Sequence, residues 1–337
     1  MAAASTVSPQ PRQHLEQRFI RRIVWGSAAS SIRAGRALSA LGVSNGHHRV
    51  LRQFFRLPSA FRHQRSVEIA ESIERINGVK CRVYIPKKQT SETEDETCKI
   101  PVVIYLHGGG WCSGSSKIYH HFTFKLCQDT NMIVVSVDYR LAPECPYPAG
   151  LDDCVEIVRN FTLSSLEMNL PENLRNCIDR ERVLLAGDSA GGNLTGAVSL
   201  ELIRQGEMKL KGAVMICPVT QAVTTKHESA MKNSKRYGKN GLGWFVSIYA
   251  GVKPSKKNLK LIHADQHLPW DVREQLLETV SDGNEIPAPT EIALTSKDAE
   301  KLAEFATCVR AWPMLADLEH LAQVRIQDEM TFVLFFL

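Results

Sequence analysis

The stretch Arg182-Val183-Leu184-Leu185-Ala186-Gly187-Asp188-Ser189-Ala190-Gly191-Gly192-Asn193 decides the fold. Its opening residues, Arg182 to Ala186, form a short apolar run without alternation, as expected of a strand buried on both faces. From Gly192 to Gln205 the apolar residues recur at helical spacing. Between the two stands Gly187-Asp188-Ser189-Ala190-Gly191, a Gly-x-Ser-x-Gly turn. A serine at so sharp a strand-to-helix turn takes a strained backbone, and its flanks must be small to clear both elements. The turn presents the Ser189 hydroxyl at a helix N-terminus, where the dipole favours developing negative charge. Gly-x-Ser-x-Gly alone is a common chance match; the strand before it and the helix after it give it meaning.

Working outward, the same compact runs recur at Val79 to Ile85, Pro101 to Leu106, Met132 to Val137 and Gly212 to Cys217, with helical spacing over Leu151 to Phe161. This alternation predicts a doubly wound, mostly parallel α/β sheet. A second glycine cluster, His107-Gly108-Gly109-Gly110-Trp111, follows the strand Pro101 to Leu106. Three consecutive glycines let the backbone pass close to a substrate and aim N–H groups at it, as an oxyanion hole requires. Alone the triplet reads as a flexible turn; paired with the serine turn downstream it reads as catalytic.

The rhythm divides the chain into four parts. Residues 1–67 form a basic arm, 68–220 the first part of the core, 221–290 an inserted helical cap and 291–337 the remainder of the core. The arm holds eleven arginines, no lysine and one acid, Glu16. Such an arm suits a solvated basic helix pair, a mitochondrial transit segment or peripheral contact with a membrane surface. It matches no nucleic-acid-binding module, so no nucleic acid is expected as a partner. At 44% hydrophobic and 23% charged, the composition excludes wholesale disorder and fibrous repeats. No apolar run approaches the length of a membrane span. Nine cysteines with no Cys-x-x-Cys pair point to a reducing, cytoplasmic setting with scattered thiols.

Taken together, His107 to Trp111, Asp138-Tyr139-Arg140-Leu141-Ala142-Pro143-Glu144, Tyr147-Pro148-Ala149, Gly187 to Asn193 and Pro313 to Leu318 resemble the signature of the hormone-sensitive-lipase-like α/β-hydrolases. Within that family the chain is most similar to the arylacetamide deacetylase branch of carboxylesterases. The resemblance runs from about residue 79 to 328 and omits the arm. It implies cleavage of small apolar acyl esters or aryl amides through an acyl-enzyme at Ser189, with no metal or organic cofactor. It places the N–H groups of Gly109, Gly110 and Ala190 in the oxyanion hole, with Asp138 and Arg140 in the structural segment beneath. It puts the catalytic acid at Asp328, just after a short strand Val324 to Gln327.

The sequence departs from this pattern at the base. No histidine follows His320, so the expected triad histidine is not found. The resemblance therefore reads the chain as a truncated form of a longer esterase, lacking the last strand and closing helix. A serine without a base is a weak nucleophile. His227, His263, His267 and His320 are the remaining candidates, each of which reads more simply as an ordinary polar residue. His263 and His267 stand four apart, but Ala264 occupies the position where a zinc protease motif needs Glu, so no metal is expected. Cys112 reads as a buried loop thiol, and Trp244, Phe245, Tyr249 and Trp270 as cap core or pocket wall. The alternative to an esterase is a non-catalytic form of the same scaffold that binds a small ligand. The tail Thr331 to Leu337 is a β-prone, uncharged run that either covers the open sheet edge or leaves it exposed.

Overall fold

A computed structural model describes residues 69–87, 99–220, 222, 241–263, 267–268, 297–308, 310–312 and 331–335. The arm, the segment 88–98, most of 221–290, Trp270, His227, His320 and Asp328 lie outside the described residues.

Seven strands form one sheet: β1 (Ile69–Ile76), β2 (Val79–Pro86), β3 (Ile100–Leu106), β4 (Ile133–Asp138), β5 (Ile178–Asp188), β6 (Gly212–Ile216) and β7 (Thr331–Phe335). Their spatial order is β1-β2-β4-β3-β5-β6-β7. β1, β2 and β4 pair antiparallel, whereas β4, β3, β5, β6 and β7 run parallel. Six described helices are α1 (His120–Thr130), α2 (Ala149–Thr162), α3 (Ala190–Arg204), α4 (Gly241–Tyr249), α5 (Lys256–His263) and α6 (Lys297–Ala306), beside two short helical turns at Ser164–Asn169 and Glu172–Arg175.

The central strands are covered on both faces. Val102, Ile104 and Leu106 of β3 join one apolar cluster with residues of α2 and α3. Val103 and Tyr105, between them in sequence, join a second cluster with Phe124 and Leu126 of α1. This two-residue alternation between two dry faces explains the unbroken apolar runs. β1 differs. Its exposed Glu71, Ile73 and Arg75 alternate with the better buried Ser72, Glu74 and Ile76, the pattern of an edge strand solvated on one face.

The open edge beside β6 is closed by β7, which pairs from Gly212↔Thr331 to Ile216↔Phe335. The sequence placed the last strand at Val324 to Gln327, outside the described residues, and expected a missing strand. Of the two courses open to the tail, it takes the covering one: its β-prone run meets the unpaired groups of β6 as a parallel edge strand.

Candidate active site

β3 and β5 are neighbours, with Leu106 opposite Gly187, so the two glycine-rich turns leave the sheet side by side at the carboxyl ends of parallel strands. Crevices at that end of an open α/β sheet are where ligands bind.

At the end of β5 the chain reverses into α3 through Ser189, whose φ of 53° and ψ of −116° lie outside the regions open to ordinary L-residues. The strain is held by its neighbours. The Ser189 N–H donates to the Ile216 carbonyl at 2.8 Å, and the Ser189 carbonyl accepts the Asn193 N–H at 3.0 Å. Helix α3 enters so close to β3 that a Cβ on Gly191 would run into the carbonyl oxygens of Leu106 and His107. Small flanking residues are therefore a packing requirement.

The loop after β3 is fixed by side chains. One Asp188 oxygen accepts the Gly108 N–H at 2.9 Å and the Tyr105 hydroxyl at 2.8 Å; the other accepts the Tyr119 hydroxyl at 2.8 Å. Burial, with the adjacent Asp188 charge, pushes both phenols upward, so they remain donors at neutral pH. Asp188 thus ties the loop to the residue preceding Ser189. Gly108 spends its N–H on this tether. Those of Gly109, Gly110 and Ala190 have no hydrogen-bond partner among the described residues. Gly109 has φ of +127°, a conformation other residues rarely adopt.

His107 is fully buried. Its Nδ1 lies 2.9 Å from the Gly108 carbonyl, and its ring stacks on Tyr139 at 4.4 Å. Burial pushes its pKa down, against a smaller opposing effect of the Gly108 bond, so the imidazole is neutral. It supports the loop from below. Asp138 holds Ser116 through its N–H at 2.5 Å and its hydroxyl at 2.9 Å, and Arg140 pairs with Asp153, so both lie in the supporting layer.

Trp111 joins several elements. Its indole N–H donates to Asn193 Oδ1 at 3.1 Å, while the Asn193 amide donates to the Ala311 carbonyl at 2.9 Å. The ring stacks on Tyr249 of α4 at 4.6 Å and meets Trp312 edge-on at 5.9 Å. Tyr249 and Trp244 are core residues. Phe245, half-buried, stands against Gly110, where a Cβ would collide with its ring. Cys112 is buried with Sγ 3.7 Å from the Gly109 carbonyl.

The structure brings together Ser189, Asp188, Gly187, Gly191, Ala190 and His107 to Gly110, but no described histidine bonds Ser189. His107 and His120 are engaged with Gly108 and Tyr84. His267 is buried with Nε2 2.8 Å from the Ala222 carbonyl. His263 ends α5, and its side chain lies outside the described residues. Tyr105, Tyr119 and Ser113 escaped the sequence reading; no local pattern marks them, because only the folded contacts do. Among the described residues no group of three His, Cys, Asp or Glu is placed to hold a metal ion, and no helix is long and apolar enough to cross a membrane.

This constellation, a strained serine turn bound to a glycine loop at the carboxyl end of a parallel sheet, defines an α/β-hydrolase. A family model described as the α/β-hydrolase fold matches residues 103–269. The chain has the α/β-hydrolase fold, and the relatives it is similar to are carboxylesterase-like. It is 36% identical over 206 residues to a probable carboxylesterase 6 of Arabidopsis thaliana, covering 56% of this chain and 58% of that protein. It is 31% identical over 255 residues to the arylacetamide deacetylase of Oryctolagus cuniculus, covering 72% and 60%. The chain therefore spans about six-tenths of the length of these curated relatives. In fold it is similar to the esterase rPPE, with a TM-score of 0.54 at 18% identity over 81% of this chain and 67% of that one.

Proposed function

We propose that the chain is a serine carboxylesterase acting on small apolar acyl esters or aryl amides. The observation that carries this reading is the strained Ser189 turn held against the glycine loop by Asp188. Ser189 Oγ adds to the substrate carbonyl carbon while the N–H groups of Gly109, Gly110 and Ala190 receive the developing oxyanion. The C–O or C–N bond then breaks, and the hydroxyl proton passes through a base to the departing alcohol or amine. Water cleaves the acyl–Ser189 ester, releases the acid and returns the proton. Asp328 is the proposed acid. The base is sought among His227, His263 and His320, since the described bonds of His107, His120 and His267 are made elsewhere. Residues 221–290 form the cap, with Phe245 as a wall beside Gly110.

The test is hydrolysis of a p-nitrophenyl ester of a short acid by the full chain and by Ser189→Ala. Expected is a rate that falls about 10³-fold or more in the variant. Equal background rates from two folded proteins would overturn the esterase reading in favour of a scaffold that binds a small ligand without turning it over. Saturable ligand binding that survives Ser189→Ala would support that second reading directly.

A further inference from the structure

The esterase reading needs two neighbouring peptide N–H groups to point one way, and glycine by itself supplies freedom without direction. Direction comes from the other end of each peptide. In a trans peptide the C=O and the following N–H point oppositely, so whatever holds the carbonyl aims the N–H. The Gly108 carbonyl faces His107 Nδ1 at 2.9 Å, which orients the Gly109 N–H. The Gly109 carbonyl is held more heavily. It accepts the Ser113 N–H at 3.0 Å, the Ser113 hydroxyl at 2.7 Å and, at the limit of bonding distance, the Cys112 N–H at 3.4 Å. Ser113 is completely buried and packs so tightly under the loop that a Cβ on Gly109 would meet its carbonyl and its Oγ.

The geometry points to Ser113 as a positioning residue for the oxyanion donor Gly110. Its hydroxyl fixes the Gly109–Gly110 peptide plane and polarises it. A hydrogen bond donated to a peptide carbonyl strengthens the N–H of the same peptide as a donor, because polarisation is passed along the chain of bonds. That N–H is the one that meets the charge developing on the substrate oxygen. Ser113 touches neither substrate nor Ser189 in this scheme; it acts through the backbone. The inference rests on the esterase reading, yet its geometric half stands without turnover.

The experiment uses the full chain with ¹⁵N-glycine, as wild type, Ser113→Ala and Ser113→Thr. The Gly110 amide signal is followed by NMR beside short-acyl ester kinetics. Expected for Ser113→Ala is an upfield shift and faster solvent exchange of the Gly110 amide proton, with Gly78 unmoved. Alongside, kcat falls about 3- to 30-fold with KM nearly constant, less than the roughly 10²- to 10³-fold that follows outright loss of an oxyanion donor. Ser113→Thr, which keeps the hydroxyl, restores both. An alanine variant whose Gly110 amide and kcat stay at wild-type values overturns the proposal. So does an alanine variant that loses KM and kcat together without rescue by threonine. If the wild type itself hydrolyses nothing, the esterase reading fails, and the Gly110 amide alone decides whether Ser113 sets the peptide plane.

Discussion

The turn after β5 and the loop after β3 leave adjacent strands at the same end of the sheet, and both are rich in glycine. They are secured by different means. The serine turn is secured by backbone against backbone: Gly191 lies against the carbonyls of Leu106 and His107, and Ser189 is pinned to Ile216. The glycine loop adds side chains to the backbone bonds that Cys112 and Ser113 give the Gly109 carbonyl, with Asp188, Tyr105, Tyr119, His107 and Ser113 each taking a peptide group or holding the residue that does. A backbone-built turn tolerates almost no substitution at its small residues. A side-chain-built loop can be loosened one bond at a time, and so can be tuned.

The sharpest test of this contrast is Gly191→Ala. The new methyl meets fixed carbonyl oxygens, so a loss of about 3 kcal/mol or more is expected in urea unfolding, at the upper end of overpacking costs. Gly206→Ala is the control. Gly206 has φ of +69° with open space around it, so only the left-handed conformation is penalised, by about 1 kcal/mol. Similar losses in the two variants would break the comparison.

Next in size is Asp188→Ala, which strips the acceptor from the Tyr105 and Tyr119 hydroxyls and the Gly108 N–H together. Each unsatisfied buried donor is worth about 1–3 kcal/mol, and water entering the gap recovers part of it, so the expected loss is about 2–3 kcal/mol. Tyr119→Phe, which removes a single donor, should lose about 1 kcal/mol by the same unfolding measurement.

The smallest expected effect is a pH dependence. Burial holds His107 below the ordinary imidazole value of 6.5, so the unfolded chain takes up its proton first. The contribution of neutral His107 is fully present above pH 6.5 and is lost as pH falls below it, by at most about 1.4 kcal/mol per pH unit. The urea midpoint should therefore drop between pH 8 and pH 5.5 more in wild type than in His107→Asn. Parallel curves would show that the buried ring contributes nothing to acid sensitivity.

What could be read in advance follows the same division. β3, β4, β5 and β6 were legible because burial on both faces writes itself as unbroken apolar residues, and both glycine motifs because close backbone approach leaves few residue types possible. β1 was not, since Glu71, Glu74 and Arg75 interrupt an edge strand whose outer positions face water. Tyr105 and Tyr119 could not be singled out: a tyrosine in a strand or before a helix is ordinary until the fold sets Asp188 between the two hydroxyls. Phe245, one of four cap aromatics weighed together, is distinguished from Trp244 and Tyr249 only by its contact with Gly110.

The pairing of β7 with β6 has a consequence for synthesis. Strands β1 to β6 are complete by Ile216, whereas Thr331 comes about 115 residues later, which at about 5–20 residues per second is on the order of ten seconds of translation. Through that interval a nascent sheet of six strands carries an unpaired parallel edge on the ribosome. The interval is when a holdase chaperone has its natural opening and when crowded polysomes are most prone to edge-to-edge capture.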